Sequence, residues 1–361
     1  MTRHLDRLPD DGLLFVDAGG FDALKPSLDF FPGVLHDGTV CIIYAPPQAG
    51  KTFFALHLLC STALGRTTFG VTPEKREGLY VGLEGEAGIK ARIAAWCEHY
   101  GVDANPIDYA LGRFSLANEE DIAGLIDRMQ RRKIGFVVID TLSLAMAGLD
   151  EIAGQHMSLV IDALHRIKRE TGACVVAVAH TGKNEKAGIR GHSSQLGNVD
   201  TTIELVVHNR ETVNEGGKQR VIEHEVTLAT PRSAIVRKQR DAEGGKRLHF
   251  SLVLRETPFT DARGAVIKRP ALSEHEAFPD LPPEEPAPAD GLTPMQREAA
   301  EILARLNAKL GRAGPASERH YKHELKRESW GPDNPASWRS IYRKLRPKLR
   351  IDSNGYVTGI R

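Results

Sequence analysis

The residues with the clearest chemical potential are Ala45-Pro46-Pro47-Gln48-Ala49-Gly50-Lys51-Thr52. They follow the apolar run Thr39-Val40-Cys41-Ile42-Ile43-Tyr44 and precede Phe53-Phe54-Ala55-Leu56-His57-Leu58-Leu59, which predicts strand, tight loop and helix. A loop that opens a helix in this way offers backbone N–H groups and the positive helix end to a phosphate. In this pattern Ala45 to Gly50 form the cradle, Lys51 reaches the β- and γ-phosphates, and the Thr52 hydroxyl helps to hold Mg²⁺. Ala45 stands where the pattern usually has its first glycine. A side chain that short suits the loop, because Gly50 and Lys51 lie closest to the phosphates. The ligands expected are ATP and Mg²⁺.

Phosphoryl transfer to water also needs a metal-holding acid and a group that polarises the water. The apolar run Phe136-Val137-Val138-Ile139 ends in Asp140, which is expected to complete the metal shell opposite Thr52. The run Leu79-Tyr80-Val81-Gly82-Leu83 ends in Glu84-Gly85-Glu86. Glu84 is the candidate to orient and deprotonate the attacking water. Glu86 reads equally as an acid favoured by the positive end of the following helix. His180 closes the run Cys174 to Ala179, and two readings stay open for it: contact with the γ-phosphate, or a hydrogen-bonded strand-end histidine.

The elements that must position these residues alternate along the chain. After an irregular lead-in over 1–32, continuous apolar strands near 78–83, 136–139 and 174–179 are separated by amphipathic helices near 87–100, 119–132 and 155–170. That pattern predicts an α/β fold with a mostly parallel sheet covered on both faces. From Thr201 the pattern becomes hairpins: 201–207 and 221–228 flank Gly216-Gly217, and strands near 234–236 and 248–254 flank Gly244-Gly245. The ATPase domain is thus expected over 33–268. A Pro- and Glu-rich linker over 269–290 includes Pro282-Pro283-Glu284-Glu285-Pro286, and a compact basic domain follows over 291–361.

Bulk properties narrow the classes further. The chain of 361 residues carries a net charge of only +1, which excludes a uniformly basic surface. The charge is uneven, however. From Gly291 onward 15 Lys or Arg face 7 Asp or Glu, a surplus of eight, so the rest of the chain is about seven negative. Four cysteines (Cys41, Cys60, Cys97 and Cys174) form no C-x-x-C pair and suggest neither a disulfide framework nor a zinc site. The first residues lack the apolar core of a signal peptide, and no apolar run approaches the roughly 20 residues of a membrane span. A cytoplasmic protein is expected.

Taken together, these pieces resemble RecA-like motor ATPases, most closely RepA-type and DnaB-type hexameric replicative helicases. The likeness is carried by the phosphate loop, Gly82-Leu83-Glu84, Val137 to Ser143, Ala179-His180-Thr181-Gly182-Lys183, Arg190-Gly191-His192-Ser193-Ser194 and Val236-Arg237-Lys238-Gln239-Arg240. It spans about Phe31 to Leu254, and His192 interrupts an R-G-S-S element that the RepA-type family commonly shows. The resemblance implies a RecA-like core, a homo-oligomeric and hexameric ring with ATP between neighbours, Glu84 as catalytic base and His180 as γ-phosphate sensor. It further implies that Lys238 and Arg240, just before a hairpin turn, act on the ATP of the next subunit, where cations stabilise charge on the transferring phosphoryl group. The same tripeptide recurs as Lys218-Gln219-Arg220, but that copy follows its glycine turn.

Two segments are candidates for contact with DNA. Lys183, Lys186 and Arg190 lie in a glycine-containing loop that reads either as a basic loop facing the ring's channel or as an ordinary exposed loop. In the C-terminal domain three helical stretches and a hairpin around Asn354-Gly355 resemble a winged helix, with Ser337, Arg339, Ser340, Arg343 and Lys344 along its recognition helix. That domain would meet duplex DNA phosphates or a replication protein. The function expected is an ATP-driven ring motor on single-stranded DNA, a replicative helicase of plasmid or phage type. The alternatives are an ATP-gated DNA-binding regulator and a recombinase-like accessory ATPase without unwinding.

Overall fold

The computed structural model describes residues 28–150, 153–181, 198–215, 218–240, 244–278, 349–351 and 357–360. Strand β1 (Val40–Ala45) shows how the sheet is built: Cys41, Ile43 and Ala45 enter one core, while Val40, Ile42 and Tyr44 enter another. A period of two on a strand with no charged residue requires cover on both faces. The helices that supply it are α1 (Lys51–Leu64) and α2 (Glu86–Tyr100) on the first face, and α3 (Glu119–Arg132), the short α4 (Leu142–Ala145) and α5 (Gly154–Thr171) on the second. Strands β2 (Glu77–Gly82), β3 (Asp108–Leu111), β4 (Ile134–Asp140), β5 (Cys174–His180) and β6 (Thr201–Val207) pair in parallel with β1 in the order β6-β1-β5-β4-β2-β3. The α/β core with a mostly parallel sheet is therefore present as expected.

Beyond β6 the sheet continues antiparallel through β9 (Arg232–Gln239), β10 (Arg247–Thr260) and β11 (Val266–His275), giving nine strands in all. The expected pairing of 201–207 with 221–228 is corrected here. Residues 201–207 belong to the main sheet, because Ile203 and Leu205 are buried in its core and pair with β9 instead. Gly216-Gly217 lies between β7 (Arg210–Glu215) and β8 (Lys218–Glu223), which form a separate two-stranded ribbon of mostly polar sequence. Lys218 and Arg220 therefore sit on that ribbon.

Two expected boundaries also shift. Residues 269–275 are strand and not linker: Ala271 and Leu272 are buried, and β11 pairs with β10 from Val266 to His275. The lead-in reaches the core before residue 33, since Phe30 and Phe31 are fully buried and Phe30 packs 5.6 Å from Phe136. Each such side chain contributes about 1.5–3 kcal/mol by leaving water. Lead-in residues 1–27 lie outside the described residues.

Helix α1 is apolar nearly all round, as a helix at the centre of a core must be. Its one buried imidazole, His57, acts as a peg. His57 Nδ1 accepts from Trp96 Nε1 at 3.1 Å on α2, and Nε2 lies 2.6 Å from Thr68 Oγ1. Glu274 of β11 accepts from the Phe69 backbone N–H at 2.6 Å, and Tyr100 donates to the Leu272 carbonyl at 2.9 Å. The edge strand β11 and both helices are thus tied to the element that begins at Lys51.

The chain divides into two compact units, 1–280 and 281–361. In the second, β12 (Leu349–Ile351) pairs antiparallel with β13 (Val357–Ile360), and residues 352–356 between them lie outside the described set. The three helical stretches expected over 293–345 also lie outside it.

Candidate nucleotide site

The phosphate loop takes its shape from two left-handed residues, Gln48 (φ 64°) and Gly50 (φ 92°). A Cβ on Gly50 would also meet the Phe250 ring at 3.5 Å and the Arg232 side chain at 3.7 Å. Ala45 needs no such freedom: it is the last residue of β1 and is fully buried. This explains why alanine serves at the usual first glycine. Gly50 caps α1 without any side-chain hydrogen bond, so the first N–H groups of the helix remain for an anion.

Sheet register then brings four strand ends to within two residues of one level. Ala45 pairs with His180 of β5, Asp140 of β4 pairs with Val178, and Gly82 of β2 pairs with Asp140. Because β5 stands between β1 and β4, the lysine of the loop and the acid of β4 face each other across His180. Lys51, only 6% exposed, donates from Nζ to the carbonyls of Ala45 at 3.0 Å and Pro46 at 2.8 Å. Its Nζ also lies 3.1 Å from His180 Nδ1. An ammonium has only donors, so Nδ1 accepts and the imidazole proton belongs on Nε2. Burial lowers the Lys51 pKa to about 8, against the pull of Asp140 and Glu84 in the other direction.

Asp140 is almost fully buried, and its Oδ2 accepts from Thr52 Oγ1 at 2.7 Å and from the Tyr80 hydroxyl at 2.8 Å. Burial raises its pKa, while those two hydrogen bonds and Lys51 oppose the rise. Tyr80 is held firmly as a phenol by burial and by Asp140, which keeps it a donor. The Asp140–Thr141 peptide is cis. Glu84 follows β2 by two residues and is exposed to the same cavity. The Leu83 N–H, bonded to the Asp140 carbonyl at 2.8 Å, keeps that strand end beside β4.

A cavity of 570 Å³ unites Lys51, Thr52, Glu84, Asp140 and His180. Five of the residues singled out for chemistry therefore converge. Lys238 and Arg240 do not join them. β9 runs antiparallel to β6, so Arg232 pairs with Val207 at the phosphate-loop end, while Gln239 pairs with Thr201 near the start of β1. The two cations lie about four strand residues, roughly 13 Å, down the sheet from the Ala45 level. There Lys238 Nζ donates to the Val199 carbonyl at 2.5 Å, and Arg240 Nη1 pairs with Asp200 Oδ1 at 2.7 Å. Lys183, Lys186, Arg190, Arg339, Arg343 and Lys344 lie outside the described residues.

The structure adds residues that the motif reading passed over. Tyr80 lies inside an apolar strand and is recognisable only once β2 and β4 are neighbours. Asp200 is 5% exposed, accepts from the Val40 N–H at 2.9 Å and lies 3.3 Å from Lys168 Nζ. Arg92, Arg232 and the segment Glu225 to Leu228 also line the cavity, and none of them carries a signature in the sequence. Among the described residues no group of three or more His, Cys, Asp or Glu converges on a metal-sized site. Thr52 and Asp140 nevertheless fit Mg²⁺, which is held by one or two protein oxygens together with substrate phosphates and water.

Comparison with known proteins adds a family to this geometry. A KaiC-like protein from the hyperthermophilic archaeon Pyrococcus horikoshii OT3 aligns over 68% of this chain and 100% of its own, with 15% identity and a TM-score of 0.42. No curated protein matches the chain significantly. The profile of the AAA domain family matches residues 5–186, half of the sequence, including the phosphate loop, Glu84, Asp140 and His180. The match is to that family as a whole and not specifically to RepA-type helicases. No helix among the described residues is long and apolar enough to cross a membrane. The chain belongs to the AAA domain family, and its core is a P-loop ATPase domain.

Proposed function

We propose that this protein is an ATP-hydrolysing ring motor that acts on single-stranded DNA, a replicative helicase of plasmid or phage type. The observation that carries the reading is the separation of Lys238 and Arg240 from the chain's own phosphate loop. Arg240 is 53% exposed at the opposite end of the sheet, a position suited to the ATP of a neighbouring copy. A homo-oligomeric ring, hexameric by resemblance, would complete every site from two subunits.

In each site the N–H groups of Gln48, Gly50 and Lys51 and the Lys51 ammonium would hold the phosphates. Thr52 and Asp140 would hold Mg²⁺, which when bound supplies charge neutralisation at the phosphates. A Glu84 carboxylate oxygen would take the proton of the attacking water as its oxygen bonds to the γ-phosphorus. The β–γ bridging bond breaks, and ADP leaves with the electron pair. His180, linked to Lys51, would register loss of the γ-phosphate, and Arg240 of a neighbour would stabilise the transferring group. Residues 182–197, which follow His180 and carry Lys183, Lys186 and Arg190, would contact DNA phosphates. The basic C-terminal unit, with Arg339, Arg343 and Lys344, would recruit the motor to duplex DNA or to a replication protein.

The test measures ATPase activity with and without single-stranded DNA, native mass, and strand displacement on a forked substrate. DNA-stimulated hydrolysis, a ring-sized mass and displacement are expected. Arg240→Ala and Lys51→Ala subunits, each inactive alone, should regain hydrolysis when mixed, because some interfaces then combine an intact loop with an intact arginine. If no mixture regains activity, the shared site is lost. Sequence-specific duplex binding without displacement would favour the regulator instead.

A further inference from the structure

Arg232 is the largest fully buried side chain of the core, at 1% exposure, and it lines the nucleotide cavity. A buried guanidinium normally stands against a carboxylate, because an uncompensated charge away from water is costly. Among the described residues no carboxylate pairs with it. Its terminal nitrogens donate to backbone carbonyls instead: Nη1 to Leu228 at 2.9 Å and Thr230 at 2.5 Å, and Nη2 to Thr227 at 2.9 Å. Its Nε is buried with no hydrogen-bond partner. Burial is the one cause that moves its pKa, downward, and no neighbouring acid opposes the shift.

Its place explains where a counter-charge can come from. The stem of Arg232 passes beside Gly50, with Cδ and Nε each 3.7 Å from the position of a Gly50 Cβ. The charge therefore lies directly behind the loop that cradles the phosphates. Two of the carbonyls it binds, those of Thr227 and Leu228, belong to residues that line the same cavity, and the Leu228 carbonyl also accepts from the Leu252 N–H at 2.8 Å.

We propose that Arg232 is a nucleotide-binding residue whose missing counter-ion is the phosphate chain of the bound nucleotide. It acts through the loop backbone as a fixed positive charge, and its fork holds the segment from Thr227 to Thr230, whose first two residues line the cavity, in place. The inference rests only on nucleotide binding at the P-loop, not on the ring or on DNA. A buried charge that is compensated by ligand favours the polyphosphate over a neutral nucleoside, because only the former supplies the opposite charge in a site of low dielectric.

The experiment titrates the full-length protein with a fluorescent ADP analogue, comparing wild type with Arg232→Gln, Arg232→Lys and Lys51→Ala. Glutamine keeps hydrogen-bond donors for that segment but removes the charge, whereas lysine keeps the charge without the fork. Arg232→Gln is expected to weaken ADP binding about tenfold and Arg232→Lys by less than about threefold. The thermal stabilisation produced by saturating ADP should shrink in the glutamine variant and persist in the lysine variant. If Arg232→Gln fails to fold, Arg232→Met, which keeps the volume of the stem, carries the same comparison. A folded uncharged variant that binds ADP like wild type overturns the proposal, as does a lysine variant as impaired as the uncharged one. Wild type that binds no ADP, or binds it equally well with Lys51→Ala, would instead sink the nucleotide-site reading itself.

Discussion

The two ends of the parallel sheet use the same residue types in opposite ways. At the end where the strands finish, Lys51 is buried, its ammonium is occupied by in-chain acceptors, and its pKa is drawn down to about 8. At the other end Arg240 is 53% exposed and held by a single carboxylate oxygen of Asp200. A charge in a closed, low-dielectric site acts strongly on whatever enters, whereas an exposed one is screened until a partner covers it. Asp200 is buried but keeps the Val40 N–H and Lys168 when Arg240 turns away, so the half-exposed guanidinium can meet a partner without leaving that carboxylate unpaired. Under the proposed function the first end binds nucleotide within one chain and the second complements another.

The largest effects should separate the two ends cleanly. Lys51→Ala removes the charge that faces the phosphates and is expected to abolish nucleotide binding, with hydrolysis lost as a consequence. Arg240→Ala should lower kcat about 10³-fold, the scale of a stabilising arginine in phosphoryl transfer, while the Kd for ADP stays within about twofold. Equilibrium titration alongside steady-state hydrolysis reads both quantities. An Arg240→Ala protein with tenfold weaker ADP binding would break the contrast, since a residue roughly 13 Å down the sheet cannot touch its own nucleotide.

Within the first end the contrast is between holding and reacting. Lys51, Thr52 and Asp140 are buried or half-buried and engaged in hydrogen bonds within the chain, but Glu84 is exposed to the cavity. Glu84→Gln should therefore lower hydrolysis about 10²-fold and leave binding unchanged, as expected when a general base is removed but the cradle is kept. Single-turnover hydrolysis of bound ATP is the direct measurement. If the Glu84→Gln protein hydrolyses at the wild-type rate, the base lies elsewhere.

Much of this end is legible in the sequence because it is local. A loop between an apolar strand and an apolar helix, and acids at the ends of apolar strands, appear as short words, and the register only needs to align them. What the sequence hides depends on contacts between distant segments. Tyr80 has no signature until its strand lies beside Asp140, and Arg232 reads as one more arginine until its lack of a carboxylate is visible. The pairing of 201–207 departs from expectation for a related reason: Gly216-Gly217 is legible as a turn, but the polar ribbon around it supplies its own strands. Strand β11 escapes because its sequence Val-Ile-Lys-Arg-Pro-Ala-Leu-Ser-Glu-His runs into Pro- and Glu-rich residues, and it is Ala271, Leu272 and Glu274 that bind it to the core.

The smallest effect is a pH dependence that tests whether burial really tunes the first end. The Lys51 pKa in the folded protein is about 8, below the 10.5 of an unfolded chain. Between these values the unfolded state binds more protons, so the contribution of Lys51 to stability rises with pH over that window. Nucleotide binding must run the other way. Phosphates favour the ammonium, and above pH 8 the free protein has to take up a proton before it can hold them. ADP affinity should then be flat from about pH 7 to 8 and fall by up to about tenfold per pH unit above it. Lys51→Arg, whose guanidinium stays charged, should remove the slope even if its fit lowers affinity throughout. A wild-type affinity unchanged to about pH 10 would show that Lys51 keeps its proton as an exposed lysine does, and the distinction between a buried and an open cation at the two ends of the sheet would fail.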